Sequence, residues 1–379
     1  MTPGAIMVVA GDPSGDANAA DLVKTLAASF PAARFIGAGG PKMAGAGVEL
    51  SFNLTDDSAI GPTDALKNIG SFLRRKRDLV NLARERRPEL VILVDSYSFT
   101  QPVARGIRKA APAGPTGWEP KIVRYTSPQV WASRPGRAET MARDIDLLLC
   151  LFPFEKDWYA RRGTNLRVEF VGHPMFDRYP RPPANAAEPA TPTIVLLPGS
   201  RADELKRHLP VMIAAAKTLA AKGPVAIRIV AVNEKMAGFI RSLAAPALPN
   251  AVVQTGQLAE ALSGATIAIT KTGTITMECA YFGVPTVAMY KASPLFYRMA
   301  RPFVTVKYLS MPNLLADEVV FPEFVQDQAT AENIATAAGE LLASPERRAA
   351  MRAKLRQIID TLGGPGATAR AADCIRQLL

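Results

Sequence analysis

The strongest constraint on this chain is a pattern that occurs twice. In the first half, the runs AIMVVAG, ARFIGAG, ELVILVD, KIVRYT, DLLLCLF and VEFVGH are apolar without alternation, and stretches of helical periodicity separate them. Strands buried on both faces read this way, and such strands are parallel ones covered by helices. Parallel neighbours need a crossover of roughly a dozen residues or more, which the intervening stretches supply. The second half restarts the alternation with TIVLLPGS, AIRIVAVN, AVVQTG, ATIAITKTG and VPTVAMYK. The expected fold class is α/β, with two doubly wound, Rossmann-like sheets, and 379 residues are enough for each to bury its own core.

Between the two series lies RYPRPPANAAEPATPT, where Pro180, Pro182, Pro183, Pro189 and Pro192 exclude a helix or a central strand. The expected organisation is a domain over residues 1–177, a linker over 178–193, a second domain over 194–345 and C-terminal helices over 346–379. Gly363, Gly364, Pro365 and Gly366 break that last segment into two helices.

Composition narrows the class. At 48% hydrophobic and 21% charged residues the chain is ordinary for a globular protein, and no apolar stretch is long enough to span a bilayer. The start, MTPGAIMVVAGDPSGD, has no basic leader region and reads as a first strand, so a cytoplasmic location is expected. Three widely spaced cysteines, Cys150, Cys279 and Cys374, fit reduced thiols better than a disulfide framework or a zinc site.

A formal charge of +11 attracts nucleic acid, anionic membrane or phosphorylated ligands. Its distribution discriminates among them. In LKNIGSFLRRKRDLVNLARERRPEL, Phe72 and Leu73 lead into Arg74, Arg75, Lys76 and Arg77, with apolar residues at helical spacing. The pattern suits a basic amphipathic helix on an anionic membrane surface, or a solvated helix whose apolar stripe packs on the core. A second stretch, Cys279 to Ala316, contains no Asp or Glu apart from Glu278 just before it, and it holds Lys291, Arg298, Arg301 and Lys307 among Phe296, Tyr297, Phe303 and Tyr308. Phosphate binding or membrane contact would explain it. No RNA-binding signature accompanies the charge, so no nucleic-acid partner is expected.

Ligands of open α/β sheets bind beyond the carboxyl ends of the strands. After the first strand, AGDPSGD places Ser14 and Gly15 at a helix entrance that suits an oxygen-rich ligand, or simply a cap by Asp12 or Ser14. In the second series, LLPGSRADEL gathers Ser200 and Arg201 at a helix N-terminus, where dipole and guanidinium both favour a diphosphate. The alternative there is a capping box between Ser200 and Asp203. ITKTGTITMECAYFGVPTVAMYK repeats the arrangement: Gly273, Thr274 and Thr276 form the turn, and Glu278, one helical turn after Thr274, suits a ribose diol. A capping Thr274 and an early-turn Glu278 are the local alternative.

Taken together, AGDPSGD, AGGPKMAGAGVE, SPQVWASRPGR, DLLLCLFPFEKDWY, VGHPMFD, LLPGSRADEL, TGTITMECAYFGVPTVAMYK and YLSMPNLLADEVVFPEFVQ give a close resemblance. The chain resembles the lipid-A-disaccharide synthase family, inverting glycosyltransferases of the two-domain GT-B fold. The resemblance implies two Rossmann-like domains facing a cleft, with C-terminal helices packing back toward the first. It implies transfer of diacylglucosamine from a UDP-diacylglucosamine donor to a diacylglucosamine 1-phosphate acceptor, giving a β-1,6 disaccharide, without a cofactor. It further implies a location on the inner face of the cytoplasmic membrane, and an oligomer is left open. It places UDP in the second domain, at Ser200, Arg201, Gly273, Thr274, Thr276 and Glu278, and adds Lys291, Asn313 and Gln326. In the first domain it carries substrate roles onto Ser14, Gly15, Gln129 and Arg134.

The chain departs from the family pattern after ELVILVD. There the family has Asp-Ala-Pro-Asp-Phe-Asn, and this chain has Asp95, Ser96, Tyr97, Ser98, Phe99 and Thr100. Inverting transfer needs a base for the attacking hydroxyl, and a serine at the second acidic position does not supply one. Asp95 becomes the candidate base, with Asp16 or Asp64 as alternatives near the acceptor. Other departures are Asp12 for Glu, Ser133 for Trp and Lys271 for Ser. No metal is expected: only His173 and His208 are present, and the Asp144 and Asp146 pair is better read as the end of a helix.

Overall fold

The computed structural model describes residues 3–55, 69–111, 117–182 and 188–379. Pro183, Lys67 and Asp64 lie outside them. The chain divides into two compact units, Met1–Arg178 with Leu362–Leu379, and Tyr179–Thr361.

Among the described residues the first unit has seven strands: β1 Ala5–Ala10, β2 Arg34–Gly39, β3 Glu49–Asn53, β4 Leu90–Val94, β5 Lys121–Tyr125, β6 Leu147–Cys150 and β7 Arg167–Phe170. Every pairing is parallel, in the order β3-β2-β1-β4-β5-β6-β7. The second unit has β8 Thr193–Leu197, β9 Ala226–Ala231, β10 Val252–Thr255, β11 Ile267–Lys271, β12 Thr286–Tyr290 and β13 Glu323–Val325. These too are all parallel, in the order β10-β9-β8-β11-β12-β13.

Most of the apolar runs become inner strands covered by a helix layer on each face, while VEFVGH and AVVQTG form the edge strands β7 and β10. β1, β4 and β8 are buried along their whole length. Each fully buried Leu, Ile or Val side chain there contributes about 1.5–3 kcal/mol. Two strands had no run to announce them. β3 and β13 lie at sheet edges and are only partly buried, so their sequences ELSFN and EFV carry little apolar signal.

The C-terminal segment does not act as one body. The helix Pro345–Asp360 packs on the helices Ile275–Tyr281, Met311–Ala316 and Ala331–Ala343 of the second unit. Gly363, Gly364 and Gly366 then turn the chain at φ 82°, 63° and 89°, in the left-handed region that favours glycine. The last helix, Ala367–Arg376, packs on the helix Pro13–Ser29 of the first unit. Asp177 fixes this return by accepting from the backbone N–H groups of Gly366 and, at 2.8 Å, Thr368.

Candidate functional site

A doubly wound sheet opens a crevice where its strand order reverses. In the first unit the reversal lies between β1 and β4, and in the second between β8 and β11.

β1 leads into Asp12, which caps the helix Pro13–Ser29: its Oδ1 accepts from Gly15 N at 2.8 Å. β4 leads into Asp95 and Ser96, both left-handed at φ 50° and 39°. Such a conformation costs on the order of 1–3 kcal/mol per non-glycine residue and persists only where its surroundings enforce it. Here Thr100 Oγ1 donates to the Asp95 and Ser96 carbonyls at 2.9 and 3.1 Å, and Ser96 Oγ donates to Asp12 Oδ2 at 2.7 Å. The helix N-terminus nests against this turn because Gly11 and Gly15 have no side chain. A Cβ on Gly11 would sit 2.6 Å from Ser96 Cβ, and one on Gly15 would sit 3.2 Å from Asp95 Cβ.

The strained turn presents the Asp95 carboxylate. Thr126 Oγ1, at the end of β5, donates to its Oδ1 at 2.6 Å, and Asn18 Nδ2 donates to its Oδ2 at 3.3 Å. Asn18 is aligned in turn by Arg178, which donates to its Oδ1 at 3.0 Å and pairs with Asp21. Burial, followed by the nearby Asp12 charge, pushes the Asp95 pKa up from 3.8 to about 6, against the two hydrogen bonds and Arg124. A carboxyl with that value is a proton acceptor near neutral pH.

Arg124 lies wholly buried behind this turn and donates to Thr100 Oγ1 at 2.8 Å and Gln101 Oε1 at 2.9 Å. Its guanidinium and that of Arg137 each lie about 5 Å from the Tyr97 ring centroid. Burial lowers the Arg124 pKa to about 10, still well above neutrality.

Asp16, an alternative base, has a different job. Its Oδ1 accepts from Gly40 N and Met43 N at 2.8 and 3.1 Å, and its Oδ2 from Lys42 N at 3.0 Å. Through these three amides its carboxylate ties the helix Pro41–Gly45 to the helix Pro13–Ser29. Gly15 likewise gives its N–H to Asp12, so it shapes the turn, while Ser14 is exposed beside it. Ser98 is exposed in the first turn of the helix Tyr97–Ala110. Gln129 and Arg134 are exposed on the turn after β5, where Trp131 Nε1 donates to the buried Glu155 at 3.0 Å.

In the second unit, β8 runs through Gly199, at φ 123°, into the helix Ala202–Ala220. Glu204, in its first turn, reaches back. Its Oε2 accepts from Ser200 N at 3.1 Å, and its Oε1 accepts from Arg201 Nη1 and Lys271 Nζ, both at 3.2 Å. Burial alone would raise the Glu204 pKa, but Lys271, Arg201 and the Ser200 amide hold it below the usual carboxylate value. The acid that closes this turn is therefore Glu204 rather than Asp203, and the N-cap position falls on Arg201, which makes no side-chain cap, rather than on Ser200. Two cations at a helix entrance are gathered on one internal carboxylate, an arrangement suited to a diphosphate.

Across the reversal, Gly273 at φ 130° lies under Lys271: a Cβ there would be 3.2 Å from Nζ. Thr274 is exposed and makes no side-chain cap, whereas Thr276 is buried and donates to Gly273 O at 2.6 Å. Thr276 thus shapes the turn. Glu278 is partly exposed and accepts from Tyr179 Oη at 3.2 Å.

Three further expected ligands make hydrogen bonds within the second unit. Asn313 is buried and saturated: it donates to Phe321 O and Glu323 Oε1 and accepts from Val320 N and Phe321 N. Gln326 brackets Ala292, accepting from its N at 2.6 Å and donating to its O at 3.3 Å. Lys291 Nζ donates to Gln326 O and Ala329 O, both at 3.3 Å. His208, outside the expected site, joins the strand ends: its Nδ1 lies 3.1 Å from Pro198 O, and its Nε2 accepts from Lys291 N at 3.1 Å. Burial lowers its pKa, so the imidazole is neutral.

The basic helix is Ile69–Arg86. Phe72, expected at a membrane, packs inward, edge-on to Phe99 with ring centroids 5.3 Å apart. Arg75 lies over the Phe52 ring, while Leu73, Arg74 and Arg77 are exposed. No helix among the described residues is long and apolar enough to cross a membrane. Asp144 accepts from Gln101 and Arg105, and Asp146 from Ile122 N and Arg108, so this acidic pair knits the first unit.

Comparison with known proteins accords with this geometry. The family model for lipid-A-disaccharide synthetase matches residues 6–377. The lipid-A-disaccharide synthase of Geobacter metallireducens is 34% identical over 99% of this chain and 97% of its own length, and that of Anaeromyxobacter strain K is 36% identical over 97% and 96%. The fold is shared with CalG4, the calicheamicin glycosyltransferase, at TM-score 0.59 and 18% identity over 100% of this chain and 98% of that one. It is shared also with the UDP-GlcNAc 2-epimerase of Neisseria meningitidis, at TM-score 0.62 and 12% identity over 98% and 99%. The architecture is GT-B, and the chain belongs to the lipid-A-disaccharide synthase family.

Proposed function

We propose that this protein transfers 2,3-diacylglucosamine from its UDP derivative to 2,3-diacylglucosamine 1-phosphate, forming a β-1,6 disaccharide 1-phosphate and UDP. The observation that carries the chemistry is Asp95, an acid held in a strained turn with its pKa raised to about 6. Its carboxylate takes the proton of the acceptor's 6-hydroxyl as that oxygen attacks the anomeric carbon. The bond from that carbon to UDP breaks on the opposite side, and the configuration inverts. Charge accumulates on the departing diphosphate, where Arg201, Lys271 and the entrance of the helix Ala202–Ala220 stabilise it. Glu278 receives the ribose hydroxyls. Thr126 and Asn18 aim Asp95, while Thr276, Asn313, Gln326 and His208 keep the surrounding turns in shape.

The lipid substrates call for attachment to an anionic bilayer, to which Leu73, Arg74 and Arg77 on the basic helix contribute. Calorimetric titration with UDP tests the donor half. Arg201→Ala, Lys271→Ser and Glu278→Ala should each weaken binding by about 1–3 kcal/mol, the range for a lost charge-assisted contact. Affinity unchanged in all three variants would remove the nucleotide from this position.

A further inference from the structure

The second unit carries a surface that neither the fold nor the sugar-nucleotide chemistry uses. β12 is followed by the short helix Pro294–Ala300, which buries none of its residues, and by a single 3₁₀ turn, Arg301–Phe303. Large apolar side chains face solvent along this segment: Leu295 is 71% exposed, Met299 64%, Phe303 50%, Val304 42% and Phe296 41%. Leu295 and Met299 stand one helical turn apart, so their exposed tips are neighbours. Single exposed hydrophobes are common, but a run of this kind on one short segment marks a contact surface.

The charges around it identify the contact. Arg298, Arg301 and Lys307 are exposed within the same segment, and no Asp or Glu occurs between Cys279 and Ala316. Acids resume only at Asp317 and Glu318, and Glu318 is paired with Lys354. A second copy of the chain is a poor occupant. A two-fold contact sets a patch against itself and would bring these three cations together. Apolar tips flanked by cations match the boundary between lipid headgroups and acyl chains.

We propose that the segment from Pro294 to Lys307 docks on an anionic lipid surface, with Leu295, Phe296 and Met299 entering the acyl boundary and Arg298, Arg301 and Lys307 pairing with headgroup phosphates. This attachment is distinct from the basic helix of the first unit and does not rest on the UDP assignment. The helix Ile69–Arg86 offers mainly charge, which salt screens, whereas this segment adds apolar insertion, which salt does not weaken.

The test uses the full chain and vesicles of mixed phosphatidylethanolamine and phosphatidylglycerol. Phe296→Trp should acquire fluorescence that brominated phosphatidylglycerol quenches beyond the quenching of the parent's own tryptophans. Leu295→Gln with Met299→Gln should lower vesicle partitioning at high salt by about tenfold or more. Thermal stability and UDP affinity should match the parent, because the helix buries nothing. The proposal is overturned if the Phe296→Trp variant shows no added quenching while it sediments with vesicles, or if the double variant partitions as the parent does at high salt. It is equally overturned if the double variant changes only the mass in analytical ultracentrifugation, which would make the segment a protein contact.

Discussion

At the scale of single residues, the proposed chemistry centres on Asp95. Its raised pKa means that burial resists ionisation, so the proton-accepting form dominates only above about pH 6. The rate of transfer at low substrate should therefore fall about tenfold per unit as pH drops below about 6. A profile flat through that region would rule Asp95 out as the base. The same shift has a stability side. A carboxyl whose folded value lies above its ordinary 3.8 destabilises the fold progressively as pH rises from about 4 through 6. Asp95→Asn should then be as stable as the parent or more so at pH 7.5, by at most about 3 kcal/mol, with the difference vanishing below about pH 4. Thermal unfolding at the two pH values measures this. Sequence reading reached Asp95 because a strand ends there and position 98 lacks its acid. It could not reach Thr126 or Asn18, which come to the carboxylate from β5 and the helix Pro13–Ser29. Nor could it separate Asp16, in the first turn of the helix after β1, from Asp95, directly after β4, since only the folded chain shows three amides around one of them. Lys271 was visible as a departure from the family pattern, but its partner Glu204 was not, because their pairing needs β11 beside β8.

At the scale of elements, apolar runs predicted the inner strands because those strands are buried on both faces; they also marked the edge strands β7 and β10, but not the edge strands β3 and β13, whose ELSFN and EFV are short, mixed and only partly buried. The basic helix shows the limit of periodicity from the other side. Leu79 and Ala83 are fully buried and Phe72 meets Phe99, so the apolar stripe covers the core. What remains outward is Leu73 with Arg74 and Arg77. Reversing Arg74 and Arg77 to Glu should reduce binding to anionic vesicles at low ionic strength. It should change little at high salt, where charges more than about 3 Å apart are screened. Co-sedimentation across a salt series measures this, and a loss of binding independent of salt would contradict it. Stability should stay close to the parent's, because both side chains are exposed.

At the scale of the whole molecule, two parallel sheets each place their polar turns at a reversal of strand order, and the residues with chemical character collect there. That much follows from topology, and the same architecture carries both a glycosyltransferase and an epimerase among its structural relatives. What separates the reactions is local, and in the proposed function it is the acid Asp95, the anion site at Arg201 and Lys271, and the surfaces proposed to meet lipid. The return of the last helix alone to the first unit was not legible, because Gly363 to Gly366 announce a break but not which partner each flanking helix finds. The reaction itself can be measured with purified protein, UDP-2,3-diacylglucosamine and 2,3-diacylglucosamine 1-phosphate in mixed micelles, following UDP release and the disaccharide product together. Equal amounts of UDP and β-1,6 disaccharide 1-phosphate are expected from the parent. Asp95→Asn should release both about 10²–10⁴-fold more slowly while binding UDP as tightly. UDP binding without any disaccharide, or an Asp95→Asn variant as fast as the parent, would contradict the assignment.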